Sequence, residues 1–289
     1  MSARPVYLRT LYPFASHYHA VDKGRLHYVD EGRGDAILCL HGNPTWSFAW
    51  RNLIQDMRDE FRIIAPDHLG CGFSDKPQDA GYRLEDRIDH LESLVRTLDL
   101  PRFHLVLHDW GGAIGMGLAA RMEERVGRIL IMNTAAFPFP SMPRRIMLCR
   151  TPGIGEFAVR RLNLFAWAAT RMTTAVALPD VIRKAYLYPY DSPRNRIAIW
   201  RFVRDIPTDP DHPSWNTLLA VEAGLARLQG KDLLILWGER DWCFHRGFRE
   251  EWERRFPRAR SIAMDDVGHY VFEDAPRRLL REARGLFRE

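Results

Sequence analysis

Six short apolar runs recur along the chain, and longer amphipathic stretches separate them. The runs are AILCL (36–40), FRIIAPD (61–67), FHLVLHD (103–109), GRILIMN (127–133), DLLILWG (232–238) and RSIAMDD (260–266). Strands that alternate with helices form a parallel sheet, because each parallel connection needs a crossover. The stretch GRLHYVDEGRG (24–34) alternates apolar and polar residues and ends in glycines, so we predict an antiparallel hairpin at the sheet edge.

This alternation stops between Asn133 and Asp232, in an interval rich in Arg, Trp, Tyr and Pro. The interval reads as mostly helical, which predicts an insertion between two core strands that covers the site. We therefore expect an α/β core with a mostly parallel, doubly wound sheet from residues 1–135 and 229–289. Residues 136–228 would form a helical cap (lid) after the sixth strand. Five cap residues suit a long apolar substrate, although each could equally pack the cap onto the core: Phe157, Leu164, Phe165, Trp167 and Trp200.

The composition predicts a globular protein of the cytoplasm. The chain has 289 residues, 46% of them hydrophobic, which is enough for one large α/β domain or two modest ones. The most apolar stretch, 162–179, is interrupted by Arg171 and closed by Pro179, so we expect no membrane span. The first residues lack the apolar region of an export signal, and the four cysteines are scattered singly, as in a reduced compartment.

The net charge excludes little by itself. It is +5, but the basic residues are spread through the sequence and form no basic stripe, so we expect no nucleic-acid partner. The glycine-rich stretch PDHLGCGFSDKP (66–77) has neither a Walker lysine pattern nor G-x-G-x-x-G, so phosphate binding there is a weak interpretation. We expect no cofactor and no metal.

Polar residues with catalytic potential stand where three predicted strands end, the edge at which a doubly wound sheet gathers its reactive groups. In LVLHDWGGAIG (105–115) an apolar run stops at Asp109 and passes at once into small residues, which is typical of a strand that turns sharply into a helix. Asp241 and His269 follow two later runs. One such residue alone is more often a cap or a surface residue. All three, in the order nucleophile, acid, histidine, indicate the catalytic triad of an α/β-hydrolase.

A second group of residues is placed to bind an anion. HGNPTWSFAWR (41–51) directly follows a strand, and in this fold the equivalent loop gives a backbone N–H to the oxyanion hole. The other N–H comes from the residue after the nucleophile, here Trp110. Asn43 and Trp110 also carry side-chain donors that could hold a departing anion. The alternative is that Asn43 caps a turn and Trp110 packs a helix.

These motifs resemble one branch of the α/β-hydrolases over nearly the whole chain. HGNPTWSF, DHLGCGFSDKP and HDWGGAIGM, with the later acid and the GHY histidine, resemble the haloalkane-dehalogenase branch. Within it NTAAFPFP (133–140), PYDSPRNRIAIWRFVRDIP (189–207) and GHYVFEDAP (268–276) look most like the cis-β-lactone decarboxylases of bacterial long-chain olefin biosynthesis. The resemblance implies Asp109 as nucleophile, His269 as the triad histidine, and Asn43 with Trp110 as anion holders. Some dehalogenases place the acid after the sixth strand, where this chain has Asn133, so that role falls to Asp241.

The resemblance also implies an activity: conversion of a cis-β-lactone to a cis-alkene and CO2, and a pathway partner, a β-lactone synthetase. An ionised aspartate suits this chemistry because it attacks saturated carbon without first losing a proton. Three alternatives stay open. A haloalkane dehalogenase would use the same triad. The second alternative is an epoxide or ester hydrolase, of which the epoxide hydrolase would need cap phenols such as Tyr186, Tyr188 or Tyr190 to protonate the epoxide oxygen. The third is a binding protein without catalysis, which would leave the triad unused.

Overall fold

The computed structural model describes residues 4–140 and 142–288. Within these residues eight strands form one sheet in the order β1-β2-β4-β3-β5-β6-β7-β8. The strands are β1 (His17–Val21), β2 (Gly24–Glu31), β3 (Ala36–Leu40), β4 (Arg62–Pro66), β5 (Phe103–Asp109), β6 (Val126–Thr134), β7 (Leu233–Gly238) and β8 (Arg260–Met264). From β4 to β8 in this order all neighbours are parallel. The mostly parallel sheet predicted from the apolar runs is confirmed.

The antiparallel edge differs from the predicted hairpin within 24–34. Residues 24–31 form the single strand β2, which pairs with β4 on one side and with β1 on the other. The hairpin is β1–β2, turning through Asp22 and Lys23, whose φ is +67°. Strand β1 was not predicted because HYHAV is only partly buried at the sheet edge and carries no strong apolar alternation.

The central strands are buried on both faces by two apolar clusters. In β3, Leu38 and Leu40 contact one cluster, whereas Ile37 and Cys39 contact the other. Every residue of β3 and β5 is buried. Burial on both faces explains why these strands read as continuous apolar runs in the sequence.

Helices cover both faces of the sheet and fill the interval between β6 and β7. The α-helices of the described chain are α1 (Val6–Leu11), α2 (Arg51–Met57), α3 (Leu84–Thr97), α4 (Trp110–Arg121), α5 (Arg144–Arg150), α6 (Ile154–Glu156), α7 (Leu164–Met172), α8 (Asp180–Leu187), α9 (Ile197–Arg204), α10 (Trp215–Gly224), α11 (Arg246–Arg255), α12 (Val271–Asp274) and α13 (Pro276–Arg288). A π-helical turn, Phe157–Arg161, continues α6. Helices α5 to α10 lie in the predicted cap; its bounds at 136 and 228 stay a prediction.

No helix in the described chain has the length and apolar character needed to cross a membrane.

Candidate active site

Asp109 lies at a sharp turn between a strand and a helix. It is the last residue of β5 and directly precedes α4, with φ of +51° and ψ of −128°. This backbone conformation is strained for an aspartate, and it persists only where the surrounding packing enforces it. Gly112 provides that packing, because a Cβ atom there would lie 1.7 Å from Oγ1 of Thr134. The turn therefore holds the Asp109 carboxylate out at the carboxyl edge of the sheet.

The structure brings the three predicted triad residues together. His269 Nδ1 lies 2.6 Å from Oδ2 of Asp241, and His269 Nε2 lies 3.7 Å from Oδ2 of Asp109. The first distance is a short hydrogen bond, which fixes the orientation of the imidazole. The second is longer than a hydrogen bond and leaves the Asp109 oxygen open toward a substrate.

The remaining contacts of Asp241 identify a residue whose role the sequence analysis did not assign. Asp241 Oδ1 accepts a hydrogen bond from the backbone N–H of Cys243 at 2.7 Å. Asn133 Nδ2 donates to Asp241 Oδ2 at 3.0 Å and to the carbonyl of Gly238 at 2.9 Å. Asn133 therefore supports Asp241 from the end of β6. Its place at a strand end, where some dehalogenases carry the acid, is the sequence signal by which this supporting amide could have been found.

Burial and charge act in opposite directions on the two reactive groups. Burial raises the pKa of the Asp109 carboxyl, an effect that His269 and the backbone N–H groups of Trp110 and Asn43 offset only in part. Burial alone would lower the pKa of His269, but the charge and hydrogen bond of Asp241, with the charge of Asp109, raise it. The three groups thus favour an imidazolium between two carboxylates.

The predicted anion holders flank Asp109, and their backbone contacts are well defined. The N–H of Asn43 donates to Asp109 Oδ1 at 2.7 Å. The Asn43 carboxamide donates to the carbonyl of Ile199 in α9 at 3.1 Å, and its Oδ1 is buried with no hydrogen-bond partner among the described residues. Trp110 lines the cavity, with its ring 5.2 Å from that of Phe202. Anion binding by these two side chains stays a prediction.

A largely apolar cavity of about 500 Å³ lies over Asp109. Its polar lining includes the five predicted site residues: Asn43, Asp109, Trp110, Asp241 and His269. Its apolar walls come from both the core and the cap, including Phe137, Phe244, Phe248, Ile146, Val159, Phe165, Ala169 and Val203. A volume of this size with few convergent polar groups is typical of a site for an apolar small molecule.

The cap aromatics divide between the cavity and other surroundings. Leu164 and Phe165 line the cavity. Phe157 and Trp167 do not, and 56% and 47% of their surfaces are exposed. Trp200 packs between the two apolar clusters. Of the two alternatives, a contact with the substrate therefore stays open for Leu164 and Phe165, whereas the other three side chains do not line the cavity.

The described residues that line the cavity include no tyrosine. Tyr186 donates a hydrogen bond to Glu273, and the buried Tyr190 donates to the carbonyl of Thr45 at 3.1 Å. These phenols are therefore engaged in packing the cap onto the core. The epoxide-hydrolase alternative required phenols beside Asp109 to protonate the epoxide oxygen, and no described cavity-lining residue provides one.

A buried polar cluster beside the site was also missed. Asp67 follows β4 and accepts hydrogen bonds from His27 Nδ1 at 2.8 Å and from the N–H groups of Ser47 and Phe73 at 2.7 and 2.8 Å. It ties the loop after β3, which carries Asn43, to the loop after β4. The signal for it is the aspartate that ends the run FRIIAPD.

Within residues 4–140 and 142–288, no group of three or more His, Cys, Asp or Glu side chains is arranged to hold a metal ion.

Comparison with known proteins identifies the family to which the chain belongs. A family model described as the alpha/beta hydrolase fold matches residues 35–276. A cis-3-alkyl-4-alkyloxetan-2-one decarboxylase of Shewanella oneidensis is 41% identical, covering 93% of this chain and 86% of that protein. A decarboxylase of the same name from Xanthomonas campestris is 40% identical, covering 86% of this chain and 87% of its own.

The dehalogenases are more distant relatives of similar shape. Haloalkane dehalogenase 2 of Mycobacterium tuberculosis is 32% identical, with 93% of each chain covered. The crystal structure of haloalkane dehalogenase DbeA from Bradyrhizobium elkani superposes with a TM-score of 0.85 at 28% identity, covering 94% of this chain and 97% of that one.

Proposed function

Because the chain belongs to the alpha/beta hydrolase fold family, we propose that it decarboxylates cis-3-alkyl-4-alkyloxetan-2-ones, the cis-β-lactones, to cis-alkenes and CO2. The observation that carries the proposal is a carboxylate, Asp109, at the strained turn where an apolar cavity meets the sheet. A carboxylate there calls for attack at saturated carbon bearing a leaving group. The choice of the lactone rests on the 40–41% identity to the decarboxylases, against 32% to the dehalogenase.

The reaction proceeds in two steps that consume no water. The ionised Asp109 attacks the lactone carbon C4 from the side opposite the ring oxygen, forming an alkyl ester while the bond from C4 to the ring oxygen breaks. The released carboxylate stays on C3. The bond between C3 and this carboxylate then breaks, its electron pair forms the C3–C4 double bond, and the ester bond to Asp109 breaks, so that CO2 leaves and the aspartate is restored.

The geometry of a four-membered ring determines the product. Its ring bonds are nearly eclipsed, so inversion at C4 places the Asp109 oxygen opposite the new carboxylate. Both groups then leave from an antiperiplanar arrangement, and alkyl groups that were cis on the ring end cis on the alkene. The donors of Asn43 and Trp110 would hold the carboxylate as its charge develops.

His269 and Asp241 act on the nucleophile rather than on water in this scheme. An imidazolium within 3.7 Å of Asp109 keeps that carboxylate ionised despite its burial, and it stabilises the aspartate as the leaving group of the second step. Asp241 maintains the charge and orientation of the imidazole.

The same triad favours a second candidate, hydrolysis of a haloalkane. The alkyl ester on Asp109 would then be cleaved by water that His269 activates, and the Asp–His–Asp arrangement required for this step is complete. The two candidates share the first displacement and differ only in how the ester is resolved.

The setting of the activity belongs to the proposal as well. The substrate would come from a β-lactone synthetase of a long-chain olefin pathway in the cytoplasm, with which the protein could associate. The cap of residues 136–228 would provide much of the apolar wall, and the core of residues 1–135 and 229–289 the reactive groups and the rest of the wall.

The test is an assay of CO2, alkene and bromide with a cis-β-lactone and a bromoalkane, in oxygen-18 water. We expect a cis-alkene from the lactone and no oxygen-18 in the peptide that carries Asp109. Label in that carboxylate during lactone turnover would show ester hydrolysis and refute the water-free route. Asp109→Asn is the control: it should lower turnover at least about a thousandfold with an unchanged fold, and a variant that keeps a tenth of the activity would exclude Asp109 as nucleophile.

A further inference from the structure

Most of the large apolar side chains exposed on the described chain come from one segment of the cap. Twelve large hydrophobic residues are exposed in the described chain, and ten of them fall between residues 147 and 181. We define the cap face as the exposed apolar residues from 147 to 176: Met147, Leu148, Ile154, Phe157, Leu162, Leu164, Trp167, Met172 and Val176. An apolar surface concentrated in this way marks an interaction site rather than ordinary surface variation.

The cap face continues into the active-site cavity. Leu148, Ile154, Leu164 and Met172 are exposed, and the same four side chains line the cavity. A residue that is both exposed and cavity-lining stands at the opening. An apolar molecule can therefore pass from the cap face to Asp109 along a continuous apolar surface.

The segment that carries the cap face has a strongly positive net charge. Residues 142–173 contain six arginines and one glutamate, with no lysine or aspartate, so the segment carries a net +5, the formal net charge of the whole chain. Arg144, Arg145, Arg161 and Arg171 are exposed. Among the described residues only Arg160 of the six pairs with a carboxylate, that of Glu156. The cap face is thus apolar side chains interspersed with free positive charge.

Helix α7 shows how the two properties combine. Leu164, Trp167 and Arg171 follow a spacing of three and four residues, which places them along one side of the helix. The guanidinium of Arg171 lies 4.1 Å from the centre of the Trp167 ring. A tryptophan covered by an arginine offers an apolar body with a charged tip, the combination that anchors proteins at the level of lipid headgroups.

We propose that the cap face docks on an anionic lipid surface and that the cavity opens toward it. This inference rests on the proposed function, because a dialkyl lactone would be dissolved in lipid rather than in water. The apolar side chains would enter the headgroup region while the arginines contact phosphates. An opening on that side lets the substrate enter from the bilayer and the alkene return to it.

The first test is sedimentation with vesicles. The full chain should bind vesicles of phosphatidylglycerol and phosphatidylcholine at least about tenfold more tightly than vesicles of phosphatidylcholine alone, and high salt should reduce the difference several-fold. Equal binding to both, or none to either, would overturn the proposal.

Two matched pairs of variants locate the contact. Phe157→Ser with Trp167→Ser removes apolar surface without touching the cavity lining, and Val6→Ser with Leu219→Ser is its control elsewhere on the surface. We expect the first pair to weaken vesicle binding about tenfold and the second to leave it unchanged. Equal effects of the two pairs would contradict the assignment.

The second matched pair tests charge. The double variant Arg144→Gln with Arg161→Gln removes two arginines of the cap, and the double variant Arg277→Gln with Arg278→Gln on α13 is its control. The loss of binding should be specific to the cap arginines. Sedimentation without lipid measures the oligomeric state. If the unmodified protein is an oligomer that the cap variants dissociate, the cap face contacts another copy and the lipid proposal is wrong.

Turnover of a short-chain, water-soluble lactone without vesicles separates this proposal from the proposed function. All the paired variants should turn it over as the unmodified protein does. Failure of the unmodified protein itself would contradict the proposed function, whereas normal turnover without vesicle binding would contradict only the lipid surface.

Discussion

At the scale of single residues, the two oxygens of Asp109 have different surroundings. Oδ1 is held by the backbone N–H of Asn43 at 2.7 Å, while Oδ2 lies 3.7 Å from His269. The fixed oxygen orients the carboxylate, and the other is available to attack. The strained backbone of Asp109 places the carboxylate where one oxygen is held and the other can react.

His269 separates the two ways of resolving the ester. His269→Ala removes the base that hydrolysis requires, so an alkyl ester formed from a bromoalkane should accumulate on Asp109. Alkene formation should fall by a smaller factor, because expulsion of CO2 needs no base. Mass spectrometry of the Asp109 peptide and the rate of alkene release measure the two effects. Both reactions begin with attack by the ionised Asp109. Equal loss of both activities would therefore show that the charge of His269 beside Asp109, and not its role as a base, limits the two reactions.

Asp241 and Asn133 differ in charge, so replacing each should affect His269 differently. Asp241→Asn removes the charge that raises the pKa of His269, and burial should then lower that pKa below its ordinary value. Asn133→Ala should leave the pKa of His269 raised and lower turnover less than tenfold, at a stability cost of about 1–3 kcal/mol for the lost buried hydrogen bonds. NMR titration of His269 measures the difference; the reverse order of effects would make Asn133 the more important partner.

At the scale of elements, the apolar runs predicted six of the eight strands closely. AILCL and FHLVLHD coincide with β3 and β5, because strands buried on both faces leave a continuous apolar signal. The edge strand β1 leaves no such signal. Helix positions in the cap and the direction of each cap side chain depend on packing between distant segments, which local periodicity does not record.

The loop after β3 approaches the nucleophile so closely that it tolerates no side chain at Gly42. A Cβ atom there would lie 2.0 Å from Asp109 Oδ1. We expect Gly42→Ala to displace the carboxylate and lower kcat at least about a hundredfold, with a stability loss of about 1–3 kcal/mol. Gly230→Ala is the control, because nothing lies within 4 Å of a Cβ atom at that position. Normal turnover by Gly42→Ala would mean that the loop yields and does not position Asp109.

At the scale of the whole molecule, the buried Asp67 links the stability of the fold to pH. Burial alone would raise the pKa of its carboxyl, but the hydrogen bond and charge of His27, with the backbone donors, lower it to about 2. A carboxyl whose pKa is lower in the folded state stabilises the fold above its unfolded pKa near 4. That contribution, about 2 kcal/mol, is lost as the pH falls from about 4 to about 2.

Asp67→Asn should therefore remove this pH dependence. Denaturant unfolding at pH 5 and at pH 2 should show the unmodified protein losing about 2 kcal/mol more than the variant. The difference isolates Asp67 from the other carboxyls, which both proteins share. Equal losses would mean that the network stabilises the neutral carboxyl as well as the carboxylate.

The fold class and the positions of the candidate triad could both be predicted from the sequence, whereas the catalytic roles of the three residues stay predictions. Asp109, Asp241 and His269 stand at strand ends, so chain order and strand position located them, and the structure brings them together. The local excess of positive charge was missed. Residues 142–173 contain six arginines and one glutamate, but the basic residues were judged over the whole chain, where they are spread widely.

The polar and the apolar lining of the cavity come from different parts of the chain, and this bears on how the protein can evolve. All five polar residues predicted to react or to hold charge lie outside residues 136–228, whereas much of the apolar wall lies within them. The cap reaches the Asn43 side chain through the main-chain carbonyl of Ile199, a group that every amino acid possesses. Substitutions within residues 136–228 can therefore reshape much of the apolar wall during evolution and leave all five of these polar residues unchanged.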